Sequence, residues 1–177
     1  MCIRDRYTLI EVGAQEKEAI FKEIEAKLIS QGFTFERKDF NRPWGGFFVI
    51  NESHAGQFVE TYFPGDDFNK LVGDKKVSPK ILVVAPEKRL SWQYHHRRSE
   101  VWRVVGGKVG IVRSRTDEQA DLETLLPGSQ VVLRQGERHR LVGLEGFGYV
   151  AEIWQHVDPK NPSDEDDIVR LQDDFGR

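Results

Sequence analysis

Apolar residues recur at two different periods along this chain. Between about Gln15 and Gln31, Ile20, Ile24 and Leu28 return every four residues with Glu and Lys between them. That spacing predicts an amphipathic helix, and Gly32 supplies its stop. From Phe47 onward the pattern changes to short β-branched or aromatic runs set off by Gly, Pro and Asp. These runs are Phe47 to Ile50, Phe58 to Phe63, Ile81 to Ala85, Val101 to Val105, Val109 to Val112, Val131 to Leu133 and Phe147 to Val157. Many short strands at regular spacing predict a sandwich or barrel. No helical segment lies between them to cross over a parallel sheet. The expected fold class is all-β with an N-terminal α-helix.

Residues 1–40 are read as an extension carrying that helix, and residues 41–177 as the β-barrel domain with a C-terminal tail. Pro64-Gly65-Asp66-Asp67 through Pro79 is polar and glycine-containing, the composition of a long loop that forms a rim or lid. Asp158 to Ser163 is turn-like, and Asp164 to Arg177 is expected to include a short helix. There is no internal repeat and no low-complexity linker. The first six residues fit no element.

Composition narrows the class. With 177 residues, 38% hydrophobic and 31% charged, the chain is long enough for one globular core and too apolar for disorder. No apolar run approaches the roughly 20 residues that span a bilayer. The charged start, Met1 to Arg6, lacks the apolar stretch of a secretory signal, so a cytoplasmic location is expected. Cys2 is the single cysteine, which excludes an internal disulfide and a cysteine-based zinc site. A net charge of -3 argues against nucleic acid as the partner. The stretch holding Lys88, Arg89, Arg97, Arg98 and Arg103 is basic, however, and suits a small anion. The acidic run Asp164 to Asp167 reads as a solvated face.

Candidate chemistry gathers in Leu90 to Trp102. On a strand, residues two apart share a face, so Gln93 and His95 point together while Tyr94 and His96 point away. His96 to Ser99 forms a turn and Glu100 opens the next strand. Farther along, Gln135-Gly136-Glu137-Arg138-His139 places a histidine just after a turn glycine. Histidine, glutamate and an amide oxygen together suit a divalent ion such as zinc, and manganese, iron or cobalt less distinctively. Each residue alone reads more simply as a polar side chain on an exposed strand.

These positions resemble the two motifs of the cupin superfamily, a double-stranded β-helix or jelly-roll barrel. Gln93 stands in place of the first motif's first histidine, followed by His95, Glu100 and Gly107. Gly128, Gly136 and His139 meet the second motif. The departures are Glu87 for a glycine, Arg134 for a proline and Gly143 for an asparagine. Within the cupins, three blocks resemble the type II mannose-6-phosphate isomerases: Arg42 to Gly45, Lys88 to Trp102, and Glu165 to Arg177.

That resemblance implies a metal-dependent sugar-phosphate isomerase. Gln93, His95, Glu100 and His139 would hold one divalent ion. Lys80, Arg89, Arg98 and Arg170 could meet phosphate or sugar hydroxyls, and Arg42 joins Arg98 and Arg89 as substrate-binding. Glu152 and Lys80 are the candidate bases, with Arg170 as a further catalytic group. The tryptophans are read as core and barrel wall rather than as a sugar platform. A homodimer is also implied, with the helix either contributing to it or capping the barrel. In many members a nucleotidyltransferase that makes GDP-mannose precedes this domain. Residues 1–41 are too few for one, so sugar-nucleotide synthesis is not expected of this chain. The rival functions are isomerisation of another sugar phosphate such as a heptose phosphate, a non-catalytic sugar-binding cupin, or another cupin enzyme.

Overall fold

Short apolar runs, buried throughout at Gly45–Ile50 and Lys80–Val84 and mixed with polar positions elsewhere, build two antiparallel sheets. The computed structural model describes residues 3–66, 71 and 76–177, with side chains described from residue 16 onward. Contacts divide it into two compact units, Met1–Thr34 and Phe35–Arg177. The second unit thus starts with its first strand, ahead of the boundary expected after residue 40.

In the first unit, helix α1 covers Ile3–Ser30, beginning well before the expected Gln15. Phe21 and Leu28 are buried and Ile20 and Ile24 half-buried, so the apolar stripe includes an aromatic position beside the isoleucines. Gly32, at φ 88°, ends it. The Gly32 amide donates to the Ile29 carbonyl and that of Phe33 to Leu28, a closure that a left-handed residue permits.

The described residues of the second unit form eleven strands: β1 Phe35–Arg42, β2 Gly45–Ile50, β3 Lys80–Val84, β4 Trp92–Tyr94, β5 Arg98–Gly106, β6 Val109–Ser114, β7 Glu123–Leu125, β8 Gln130–Leu133, β9 Arg138–Gly143, β10 Gly148–His156 and β11 Val169–Gln172. They form a six-stranded sheet in the order β1-β2-β3-β10-β5-β8 and a five-stranded sheet in the order β11-β4-β9-β6-β7. One apolar cluster draws on both sheets, with Phe47, Leu82, Trp102 and Val150 from the first and Ile111 and Leu141 from the second. Lys80 continues the Leu82 and Val84 face of β3, and Glu152 continues the Val150 face of β10. Polar residues therefore enter the same space as the core, at one end of it.

Two sequence expectations are corrected. Phe58 to Phe63 is not a strand: Ala55–Tyr62 forms a helix, α2, with Ala55, Phe58 and Val59 buried. Its aromatic and β-branched content reads as strand, yet Phe58 and Tyr62 lie four apart and pack ring on ring at 5.0 Å, a helical pairing. The tail does not form a helix either. Val169–Gln172 pairs with β4 as an edge strand, a long-range contact that local propensity does not register. Residues 67–70 and 72–75 of the expected long loop, and Met1 and Cys2 of the start, lie outside the described residues. No helix among the described residues is long and apolar enough to cross a membrane.

Candidate functional site

Register brings the predicted ligands together from both sheets. Gln93 on β4 stands directly opposite His139 on β9, and Arg170 on β11 opposite Gln93. From the other sheet, Trp154 pairs with Glu100 and Glu152 with Trp102, while Lys80 is Glu152's partner on β3. His95 follows β4 at the start of the turn into β5.

His95, Glu100 and His139 are all buried, and their ligand atoms lie within 4.8 Å of one another. His95 Nε2 is 3.1 Å from Glu100 Oε1, and His139 Nε2 is 3.6 Å from Oε2. A backbone carbonyl only accepts, so the opposite ring nitrogens carry protons. His95 Nδ1 donates to Asp167 O at 2.7 Å and His139 Nδ1 to Glu137 O at 3.0 Å. Burial pushes the His139 imidazole down to about 4, despite the pull of Glu100. Its Nε2 therefore presents a lone pair, and that atom is buried with no hydrogen-bond partner. Burial works to raise Glu100, but the nearby His95 and Arg98 outweigh it and hold the carboxyl well below its usual range.

A lone pair facing a carboxylate oxygen across 3.6 Å is repulsive unless a cation sits between them. The three donors therefore fit a divalent ion, with the ring orientations fixed from behind by carbonyls. Gln93 lies beside them, its Nε2 3.5 Å from His95 Nε2 and its Oε1 accepting from Ser91 Oγ. A half-turn of the amide exchanges those two atoms and brings the oxygen to the cluster.

The groups around the cluster differ in how free they are. Arg98 is buried and committed: Nε donates to Glu100 Oε1 at 2.9 Å, and Nη1 to Ser163 Oγ and the Asp164 carbonyl. Its guanidinium also stacks 3.7 Å from the Trp154 ring centre, so it orients Glu100 before anything else. Arg42 lines the cavity and pairs with Asp39 at 3.0 Å. Arg170 lines it from β11, exposed and in no ion pair among the described residues. Arg89 is not brought to the cavity. Its guanidinium holds Asp174 at 2.7 Å and 2.9 Å on the surface.

Glu152 is buried in the cavity wall and accepts Trp102 Nε1 at 2.8 Å and Trp154 Nε1 at 2.9 Å. The Trp102 indole also donates to Glu100 Oε2 at 3.0 Å, tying the two carboxylates together. Burial and then the charge of Glu100 push Glu152 up to about 7, against the opposing pull of Lys80 and Arg98. Lys80 Nζ is bound to Glu165 at 2.6 Å. Sequence reasoning missed Arg37, Arg177 and Glu165, which also line the cavity. Glu165 lay in plain view inside the acidic run, whose length suggested solvation rather than a partner. Trp102 and Trp154, taken for wall, are also the donors that orient Glu152.

Two antiparallel sheets around a shared core, with a His-Glu-His cluster between them, define the double-stranded β-helix of the cupins. Residues 51–173 match the family model described as mannose-6-phosphate isomerase C-terminal, and the chain belongs to that family. Among its relatives is the xanthan biosynthesis protein XanB of Xanthomonas campestris pv. campestris, 28% identical over 169 residues. That match covers 94% of this chain but 30% of the relative, so the chain spans less than a third of that protein's length. Among solved structures, tomato vicilin (Solanum lycopersicum) superposes with a TM-score of 0.50 at 20% identity, covering 73% of this chain and 33% of that one. A Cupin 2 conserved barrel domain protein from Salinispora arenicola gives 0.40 at 22% identity, covering 46% of this chain and 64% of that one.

Proposed function

We propose that this chain is a metal-dependent aldose-ketose isomerase that interconverts mannose 6-phosphate and fructose 6-phosphate. The observation that carries this reading is the placement of Glu152, a buried carboxylate pushed up to about 7, in the lining of the cavity that Glu100 and His139 of the His-Glu-His cluster also line. The family match supports the substrate class.

The reaction moves a proton between adjacent sugar carbons, C2 and C1, through an enediol. A base titrating near neutrality can both take and return that proton. Glu152 does so, and the Trp102 and Trp154 indoles hold its two oxygens in one orientation. Lys80, the other candidate base, is committed to Glu165. His95, Glu100 and His139, with Gln93, would hold a divalent ion, for which the donor set favours zinc. Such an ion supplies Lewis-acid polarisation of the sugar oxygens. Arg98 keeps Glu100 in place, and Arg170 and Arg42, which line the cavity, meet sugar hydroxyls.

The test is to purify the chain, measure bound metal, and follow fructose 6-phosphate formation from mannose 6-phosphate with added divalent ions. His139→Ala should lose both metal and turnover. Full activity in metal-free protein would remove the proposed site from the mechanism. A second reading, a sugar-binding protein without catalysis, has one observation in its favour. Both Glu152 oxygens already accept indole hydrogen bonds. Ligand binding without turnover across a panel of sugar phosphates, a heptose phosphate included, would select it.

A further inference from the structure

The cavity that holds the cluster adjoins a second one, and Arg37, Lys80 and Glu165 line both. Glu165 Oε1 sits between the two cations, 2.6 Å from Lys80 Nζ and 3.6 Å from Arg37 Nη2. The three side chains are unequally held. Lys80 is 8% exposed and its ammonium lies 4.2 Å from the Trp154 ring centre, whereas Glu165 is 54% and Arg37 52% exposed.

A buried ammonium needs an anion beside it. Here that anion comes from an exposed turn whose neighbours are anchored independently of it. The Asp164 carbonyl accepts from Arg98, and the Asp167 carboxylate accepts the His96 and Arg97 amides. Glu165 can therefore swing out by side-chain rotation alone, leaving Lys80 and Arg37 converging on one vacated position.

We propose that Lys80 and Arg37 form the subsite for the phosphate of a phosphorylated sugar, and that Glu165 is its resident counter-ion, displaced when phosphate arrives. This rests on the sugar-phosphate reading above. A phosphate dianion presents more charge and more acceptor oxygens than a carboxylate, so it wins the exchange where a neutral sugar cannot. Lys80 is Glu152's cross-strand partner, which sets the phosphate one strand away from the proposed base. Glu165 thereby acts on the anionic ligand alone: it competes with the phosphate for the two cations and leaves a neutral sugar, which does not displace it, unaffected.

The test uses the metal-loaded full chain and calorimetric titration with mannitol 6-phosphate and mannitol, which have no carbonyl to isomerise. Glu165→Gln should bind the phosphate ester about 5-fold more tightly, with mannitol affinity unchanged. Arg37→Gln should weaken the ester alone, and Lys80→Met should remove the preference for it. If Lys80→Met does not fold by circular dichroism, the Glu165 and Arg37 variants decide. Weaker ester binding in Glu165→Gln, an equal change for both ligands, or no ester binding to any variant would overturn the subsite. Isomerase turnover is measured separately. Turnover with unaltered ester affinity in Glu165→Gln sinks the subsite and leaves the isomerase. The predicted affinity pattern without turnover does the reverse.

Discussion

Glu152 and Glu100 are two glutamates bridged by a single indole, yet their surroundings drive them in opposite directions. Arg98 and His95 keep Glu100 ionised, while Glu152 meets burial and a like charge and is pushed up to about 7. As the base, Glu152 must be deprotonated, so the substrate-limited rate should fall on the acid side, at a pH below the metal-free value of about 7 because a divalent ion on Glu100 offsets the charge that raises Glu152. Glu152→Gln should lower kcat by about 100-fold or more while metal content is retained. The residual rate should lose that acid limb. A pH profile of kcat/KM for both proteins checks this, and an unchanged limb in the variant would assign it to another group. At this scale the sequence was informative where chemistry is local to a strand. Alternation puts Gln93 and His95 on one face and a turn glycine precedes His139, while the resemblance to the cupin motifs joins them with Glu100 into one set. Arg89 illustrates what was hidden: its partner Asp174 lies 85 positions away, and no local pattern signals that pairing.

At the scale of elements, the departures from the cupin motifs have physical readings. Gly143 stands where the motif has asparagine, and a Cβ there would lie 1.9 Å from the Ala85 carbonyl oxygen. The β9 end and the turn after β3 approach too closely for any side chain. Glu87 stands where the motif has glycine and adopts φ 60°, the left-handed region that disfavours a Cβ. Its side chain is exposed, so Glu87→Gly sacrifices no packing. That change should stabilise the protein by about 1 kcal/mol, measured by urea denaturation. A loss of stability would show that the glutamate has a partner that offsets the strain. The helix α2 and the strand β11 were misread for a related reason. Both are short, and tertiary packing rather than residue propensity decides them.

The whole molecule carries opposing pH terms that should appear in its stability. His139 is depressed from 6.5 to about 4 in the fold. Below pH 6.5 the unfolded chain therefore takes up a proton that the native state refuses, and stability is lost as pH falls toward 4. Glu152 is raised from 4.5 to about 7, so its contribution is present below 4.5 and lost as pH rises toward 7. In metal-free protein the two slopes offset one another between about 4.5 and 6.5. Glu152→Gln removes one of them. Its stability should then climb with pH across that window by on the order of 3 kcal/mol, read from denaturation midpoints in chelator. A flat profile in the variant would mean that His139 titrates normally.

The central claim is that the His-Glu-His cluster and Glu152 together isomerise a sugar phosphate, and one measurement bears on it most directly. Zinc-loaded full chain and its Glu152→Gln variant are given mannose 6-phosphate at pH 7, and fructose 6-phosphate is followed with time. The account predicts steady turnover by the first and about 100-fold less by the second at equal metal content. Equal rates in the two proteins, or no product from either despite bound metal, would contradict it.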